Sequence, residues 1–167
     1  YEQALTVAEE AVEIRRTLAA ETPDAFMPDL AMSLNNLANR FSDIGQHEQA
    51  RAAAEETIKI RRSLAAERPD AFMPDLAMSL GMYGTILARS EDADAAHGAF
   101  GEGLATIEPI LRCHPQGVSQ ISISLLQSYL MSCEATNKEP DAELLGPIIQ
   151  ILQQIGAIKN DDEDGTQ

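Results

Sequence analysis

Three histidines, two cysteines and several adjacent carboxylates are the residues of this chain that could do chemistry. Nucleophilic catalysis pairs a serine or cysteine with a base, yet no recognisable motif joins such a residue to His47, His97 or His114. Adjacent glutamates such as Glu55 and Glu56 could share acid and base roles. Their recurrence on the polar side of a helical pattern is instead typical of a solvated face. The sequence therefore predicts that the chain is not an enzyme.

The chain also offers few ligands to a metal ion or a cofactor. Cys113 and His114 are adjacent, but two ligands without a second pair rarely hold a metal. The acidic residues at 160–165 are spaced as in a calcium-binding loop, although the bidentate glutamate of such a loop is missing from the sequence. There is no glycine-rich phosphate loop. We therefore expect no cofactor and no metal, and we expect an acidic flexible tail at 158–167.

Charge and composition limit the classes of partner. The chain has 12 basic and 27 acidic residues, a net charge of −15 that repels phosphate backbones and anionic lipids. No apolar stretch approaches the roughly 20 residues needed to span a bilayer. Cys113 and Cys133 lie outside any CxxC motif, so we expect both to be reduced. These features predict a cytoplasmic protein that binds neither nucleic acid nor membrane.

One segment, PDAFMPDLAMSL, occurs twice, at 23–34 and again 46 positions later at 69–80. The longer stretches 15–34 and 61–80 differ at only two positions. A further shift by 46 carries Pro69 onto Pro115 in a more divergent copy. A fixed period of this length indicates stacked structural units rather than an active site.

Within one unit the apolar residues have helical spacing. Leu30, Leu34, Leu37 and Phe41 recur every three or four positions, and Gly45 then offers a helix stop. A second helix is predicted from about Glu48 to Ala66. The sequence thus predicts an all-α fold in which each unit is a helical hairpin.

The repeat register gives the domain organisation. We expect a single array over 1–157 that begins with half a repeat and continues with three full ones. Its parts are an orphan second helix at 1–20 and helical hairpins at 23–66, 69–112 and 115–157. Residues 118–125, VSQISISL, alternate as a strand would, but the register predicts a helix there.

The prolines are compatible with two alternative starting positions for the first helix of a unit. Thr22 before Pro23 is typical of an N-cap followed by a proline at the first helical position. Pro28 and Pro74 lie about one turn later, where a proline bends a helix that has already begun. The first helix of a unit starts either at Pro23 and bends, or near Pro28 after a short lead-in.

This hairpin pattern resembles the tetratricopeptide repeat. Its apolar and small positions are filled in one unit by Leu34, Leu37, Ala38, Phe41 and Ala50, and in the next by Leu80, Tyr83, Gly84, Leu87, Ala96 and Phe100. The phrase SLNNLA at 33–38 and the long unit look most like the kinesin-light-chain type. The family's signature tryptophan is leucine throughout. The resemblance implies a right-handed solenoid of antiparallel helix hairpins.

The resemblance also implies a protein or peptide ligand, neutral to basic, held on a concave face made by the first helices. The residues implied for this face are Asn35, Asn36, Asn39, Met82, Thr85, Arg89, Gln127, Ser128 and Met131. Each of them could instead be an ordinary polar or packing residue. We expect an interaction or sensor segment of a larger, bacterial multidomain protein. The alternative is a structural spacer, or an array that self-associates end to end through residues 1–20.

Overall fold

A computed structural model describes residues 2–159, with side chains from Leu5 onward. This part of the chain forms seven α-helices and no strand. The helices are α1 (Glu2–Glu21), α2 (Pro23–Asp43), α3 (His47–Glu67), α4 (Pro69–Arg89), α5 (Ala93–Cys113), α6 (Pro115–Thr136) and α7 (Ala142–Gln154). Consecutive helices pack against each other, so the all-α, tetratricopeptide-like solenoid predicted from the sequence is confirmed. None of these helices is long and apolar enough to cross a membrane.

The first helices of the units begin at their first prolines. α2 starts at Pro23 and α4 at Pro69, and both helices continue through the second prolines, Pro28 and Pro74. Thr22 occupies the N-cap position, but the expected side-chain cap is wrong because its hydroxyl makes no capping hydrogen bond. Its backbone carbonyl instead accepts from the amide of Phe26 at 3.2 Å. The fixed backbone of the proline therefore starts the helix without a side-chain cap.

The core is continuous along the stack. One apolar cluster joins α1, α2 and α3, a second joins α3 to α4, and a third extends from α4 to α7. Tyr83 of α4 packs against all three clusters. Its hydroxyl donates to Oε1 of Glu55 at 2.7 Å, and burial together with this bond raises the pKa of Tyr83 to about 12. The stacked units thus share one core, as repeat arrays require.

The divergent third unit is also helical. The strand-like segment 118–125 lies within α6, where Val118, Ser122 and Leu125 are buried. α7 continues through Pro147 and buries Leu145, Ile148 and Leu152 against the last cluster, yet it meets α6 far less extensively than α5 meets α4. The last pair therefore packs differently from the two hairpins before it.

The boundary of the expected tail shifts slightly. Ile158, which the sequence analysis assigns to the acidic tail, packs against the core cluster of α4 to α7. Residues 160–167, including the calcium-loop-like spacing, lie outside the described residues.

Candidate functional site

A groove opens between the neighbouring first helices α4 and α6. The first helices contact each other along the stack, and we call their exposed sides the first-helix face. The groove encloses about 390 Å³. Its lining residues are Met78, Gly81, Met82 and Thr85 of α4 with Gln120, Ile121, Ser124, Leu125 and Ser128 of α6. Below it is called the α4–α6 groove.

A glycine and a leucine form the contact at the floor of this groove. A Cβ atom placed on Gly81 would come within 2.8 Å of Cδ2 of Leu125. The positions 46 residues earlier are Asn35 and Ser79, and there the hydroxyl of Ser79 donates to Oδ1 of Asn35 at 3.1 Å. The contact between α2 and α4 is therefore a polar one made by a hydrogen bond, whereas the contact between α4 and α6 is apolar.

Three of the residues expected at the binding face meet in the α4–α6 groove. Met82 and Ser128 are half-buried there, and Thr85 is exposed. The uncharged lining combines thioether and aliphatic groups with hydroxyls and one amide. Such a surface can accept an apolar side chain and hydrogen-bond a peptide backbone.

The other expected residues lie outside the groove. Asn35 is half-buried, and its amide oxygen accepts from Ser79, so it is part of the stacking contact. Asn36 and Asn39 are exposed on α2. Gln127 and Met131 are exposed on α6, and Met131 retains 69% of its accessible surface.

Arg89 also lies outside the groove, and it has a partner. Its guanidinium forms an ion pair with Asp43, which occupies the equivalent position one unit earlier, at 3.3 Å. Both side chains are about half exposed or more, so this pair contributes little to stability. Arg89 therefore links α2 to α4 rather than lining the groove.

Six residues of the groove were not among those expected at the binding face. They are Met78, Gly81, Gln120, Ile121, Ser124 and Leu125. Several of them could have been predicted because they lie one or two helical turns from residues that were expected at the binding face. Met78 precedes Thr85 by two turns, and Ser124 precedes Ser128 by one turn.

A larger cavity of about 850 Å³ lies where α1 ends and α2 begins, against α3. Its floor is apolar, with Met27, Leu30 and Leu64, and the ion pair of Arg16 with Glu56 lies at its rim at 2.6 Å. The α2 side of this cavity, residues 23–30, is repeated unchanged at 69–76. The α2 side of this cavity therefore belongs to the repeated part of the unit, whereas the α4–α6 groove lies where the units differ.

The structure brings one histidine close to a serine and a cysteine, which sequence motifs did not reveal. Nδ1 of His97 lies 3.0 Å from Oγ of Ser132 and 3.9 Å from Sγ of Cys133. The Ser132 hydroxyl donates its one proton to the carbonyl of Tyr129 at 2.6 Å, so it can only accept a hydrogen bond from His97. His97 must then donate from Nδ1, and it stacks on the Tyr129 ring with centroids 4.8 Å apart. In this arrangement His97 does not activate the buried Ser132 as a nucleophile.

His47, His114 and Cys113 lie apart from this cluster. His47 begins α3, and His114 is the exposed N-cap residue of α6. Cys113 is exposed and Cys133 is buried, and both thiols are free. Over residues 2–159 no three His, Cys, Asp or Glu side chains converge as a metal site would require.

The fold and this surface define a class of protein, the helical-repeat solenoid that presents a face made by its first helices. Within that class, the model of the tetratricopeptide repeat family matches residues 30–69, which cover most of α2 and all of α3. This match supports a repeat of the tetratricopeptide type. Such repeats generally mediate protein–protein interactions and are typically non-enzymatic. Comparison with curated proteins gives no match.

Proposed function

We propose that the chain is a protein-interaction module that holds a peptide segment of its partner in the α4–α6 groove. The observation that carries this proposal is an uncharged groove on the first-helix face, at the place where otherwise repeated units differ. Met78 and Met82 adapt their shape to an apolar side chain. The hydroxyl of Ser128 can donate to or accept from the peptide backbone, whereas that of Thr85 donates to the carbonyl of Gly81 at 3.1 Å and can only accept from a peptide amide.

The charge of the chain restricts the ligand. The groove lining carries no ionisable side chain, so a charged residue seated in it would lose hydration without gaining a partner. The chain as a whole has a net charge of −15, which attracts basic residues at long range. The ligand is therefore a peptide with an uncharged centre, neutral to basic overall.

The cellular setting remains the one inferred from the sequence. The two nearly identical stretches 15–34 and 61–80 are typical of a recently duplicated sensor array, which supports a segment of a larger bacterial multidomain protein. The free thiols of Cys113 and Cys133 support a reducing compartment such as the cytoplasm.

Selection of peptides from a displayed random library, followed by titration calorimetry, tests this function. Ser128→Arg and Met82→Asp place charge in the groove, and each is expected to weaken binding of the selected peptides by about 10-fold or more. The matched control is Ala105→Arg, an exposed position on α5, which should leave affinity unchanged. Equal binding by all three variants would overturn the groove assignment.

A structural spacer or self-associating array is the second candidate function. It is favoured by one observation, the exposed apolar residues Val7 and Ile14 on α1. The peptide selection distinguishes this function from peptide binding. An array that only spaces domains or self-associates yields no peptide whose binding depends on Ser128.

A further inference from the structure

The cavity at the junction of α1, α2 and α3 combines an apolar floor with a charged rim. We call it the α1–α3 cavity, and it encloses about 850 Å³, a volume typical of small-molecule sites. In its floor Ala19, Leu30 and Leu64 are buried, and Met27 and Ile60 are half-buried. Charged side chains of all three helices lie around this floor. The cavity can therefore hold an apolar body whose polar ends meet the rim.

All three walls of this cavity lie within the described chain. α1 contributes Arg16, Ala19 and Ala20, near its end. The exposed apolar residues of α1, Val7 and Ile14, are not part of the lining. Ile14 and Arg16 are two positions apart, which places them on opposite sides of the helix. A segment packed against Val7 and Ile14 would therefore leave the cavity open.

One end of the cavity carries an unpaired positive charge. Arg16 and Glu56 line this end, and their ion pair at 2.6 Å balances their charges. Lys59 lies about one turn after Glu56 on α3 and is exposed. Among the side chains that the structure describes, the ammonium of Lys59 has no partner in an ion pair or a hydrogen bond. It is therefore available to an anionic group of a ligand.

The other end of the cavity is negative. Glu67 follows Lys59 by eight positions, which is about 12 Å along an α-helix. Asp24 lies at the same end, because α2 and α3 are antiparallel and the start of α2 meets the end of α3. Both carboxylates are exposed and have no ion pair or hydrogen bond within residues 5–159. Arg68 also lines this end, where its guanidinium lies 4.8 Å from the ring centroid of Phe72. Two carboxylates against one guanidinium favour a cationic group of a ligand here.

The next junction of the stack keeps the α2 side of this cavity but loses the charges of α3. The floor residue Met27 recurs as Met73 of α4. On α5, however, Ala105 and Cys113 stand at the positions of Lys59 and Glu67. The two charged ends on α3 are thus particular to the α1–α3 cavity, and the next junction offers an internal control.

We propose that the α1–α3 cavity binds a short apolar peptide with free termini, with its carboxylate at Lys59 and its ammonium between Asp24 and Glu67. Such a peptide carries opposite charges at the two ends of an apolar body, which complements the cavity. An extended chain spans about 3.3 Å per residue, so about 12 Å corresponds to about four residues. The exposed hydroxyl of Ser63, midway between Lys59 and Glu67 on α3, can hydrogen-bond the peptide backbone. This site is separate from the α4–α6 groove.

Methyl resonances of the full chain, isotope-labelled at methionine, test the proposal. The probe is an equimolar pool of tetrapeptides of alanine, valine and leucine with free termini. At millimolar peptide the methyl resonance of Met27 should shift, whereas that of Met73 at the next junction should not. Met78 and Met82 report the α4–α6 groove, so one spectrum distinguishes the two sites. An unmoved Met27 resonance, or equal shifts of Met27 and Met73, would exclude the site.

Blocking the peptide termini tests the two charged ends separately. Acetylation removes the ammonium of the peptide and amidation removes its carboxylate, and each is expected to weaken binding by about 5-fold. In Lys59→Gln, amidation should no longer matter. In the double variant Asp24→Asn with Glu67→Gln, acetylation should no longer matter. Asp70→Asn, at the equivalent of Asp24 one unit later, is the matched control and should leave both preferences intact.

Two outcomes of this titration would contradict the proposed ligand. If neither modification changes the affinity, the charged ends of the cavity do not bind the termini. An ω-amino fatty acid of equal length carries the same end charges without backbone amides, and equally tight binding of this compound would show that the ligand is not a peptide. No variant touches the α4–α6 groove, so failure here leaves the proposed function unaffected.

Discussion

The guanidinium of Arg61 donates to the hydroxyl of Ser79 at 2.6 Å and to the carbonyl of Asp75 at 2.5 Å. Ser79 in turn donates to Asn35, so one chain of hydrogen bonds joins α3, α4 and α2. Arg61 is buried, and that burial lowers its pKa. The equivalent Arg15 donates to Ser33, one unit earlier. An arginine that donates to a serine of the next first helix is thus a repeated element of the stack, buried at Arg61 and half-buried at Arg15.

Where the second unit meets the third, apolar packing replaces this network. Ile107 stands at the position of Arg61, and Leu125 stands at the position of Ser79; both are buried. Leu125 fits because two glycines, Gly81 and Gly103, make room for it, since a Cβ on either would lie within 2.9 Å of its Cδ2. The contact between neighbouring first helices is therefore either polar, with Arg61, Ser79 and Asn35, or apolar, with Ile107, Leu125 and Gly81 at the equivalent positions.

Removal of Arg61 alone is expected to destabilise the stack. Arg61→Ile leaves the carbonyl of Asp75 and the hydroxyl of Ser79 without their buried donor, at a cost of about 2 kcal/mol. Urea unfolding followed by circular dichroism measures this cost. Arg112→Ile serves as the control, because Arg112 is exposed and its loss should cost less than about 1 kcal/mol.

The apolar contact of the α4–α6 junction should be tolerated at the α2–α4 junction when its residues are introduced together. Ser79→Leu alone is expected to be strongly destabilising, because Asn35 and Thr57 occupy the positions equivalent to Gly81 and Gly103, which make room for Leu125. Adding Asn35→Gly to Arg61→Ile and Ser79→Leu should recover part of that loss. If the effects of the three substitutions on the free energy of unfolding simply add, the polar and apolar contacts do not depend on these residues changing together, and the expectation is contradicted.

A second compensation links Gly84 and Phe100. A Cβ on Gly84 would lie 2.6 Å from Cε1 of the buried Phe100 ring. Gly84→Ala should therefore cost about 1–3 kcal/mol by overpacking. The first unit has Ala38 and Ala54 at these positions, so adding Phe100→Ala should remove the penalty of the alanine at 84. Thermal unfolding of both single variants and the double variant gives the coupling, and equal costs of Gly84→Ala in the two backgrounds would exclude a clash.

His97 should make stability depend on pH. Burial, followed by the charge of Lys138, lowers the pKa of His97 below its usual value, although Asp94 opposes the shift. The unfolded chain then binds the proton more readily, so the free energy of unfolding should fall as the pH falls from about 6.5 through the lowered pKa. Urea unfolding across this range should show a shallower dependence for His97→Gln than for the wild type. An identical slope in the two proteins would contradict the expectation.

The cap of α7 should contribute measurably to stability. Oδ1 of Asp141 accepts from the amides of Glu143 at 2.9 Å and Leu144 at 3.1 Å. Asp141→Ala is expected to lose about 1 kcal/mol. Thr22→Ala is the matched control, since Thr22 holds an N-cap position without a side-chain cap. Equal losses in thermal unfolding would show that the Asp141 bonds contribute nothing.

The helices were predictable from the sequence because leucine spacing and repeat register both report burial. Leu34 and Leu80 are buried as their pattern predicts, and the strand-like segment 118–125 is helical as the register predicts. Thr22 occupies the N-cap position of α2 as predicted, but its hydroxyl makes no capping hydrogen bond. Local patterns thus predicted the elements more reliably than the hydrogen bonds at their ends.

The candidate site was only partly predictable, because it depends on contacts between units. Met82, Thr85 and Ser128 were expected at the binding face from the resemblance to tetratricopeptide repeats, and all three line the groove. That Asn35 would be bonded to Ser79 could not be read from the sequence, since the two residues are 44 positions apart and belong to different units. The groove owes its shape to the pairing of Gly81 with Leu125, which only the stacking reveals.

The most direct test of the proposed function is amide chemical-shift mapping of a selected peptide on the isotope-labelled chain. If the peptide lies in the α4–α6 groove, the largest shift changes should fall at residues 78–85 of α4 and 120–128 of α6. The second helices α3 and α5 should change little. Changes concentrated on α3 and α5, or around the cavity between α1 and α2, would contradict the groove as the binding site.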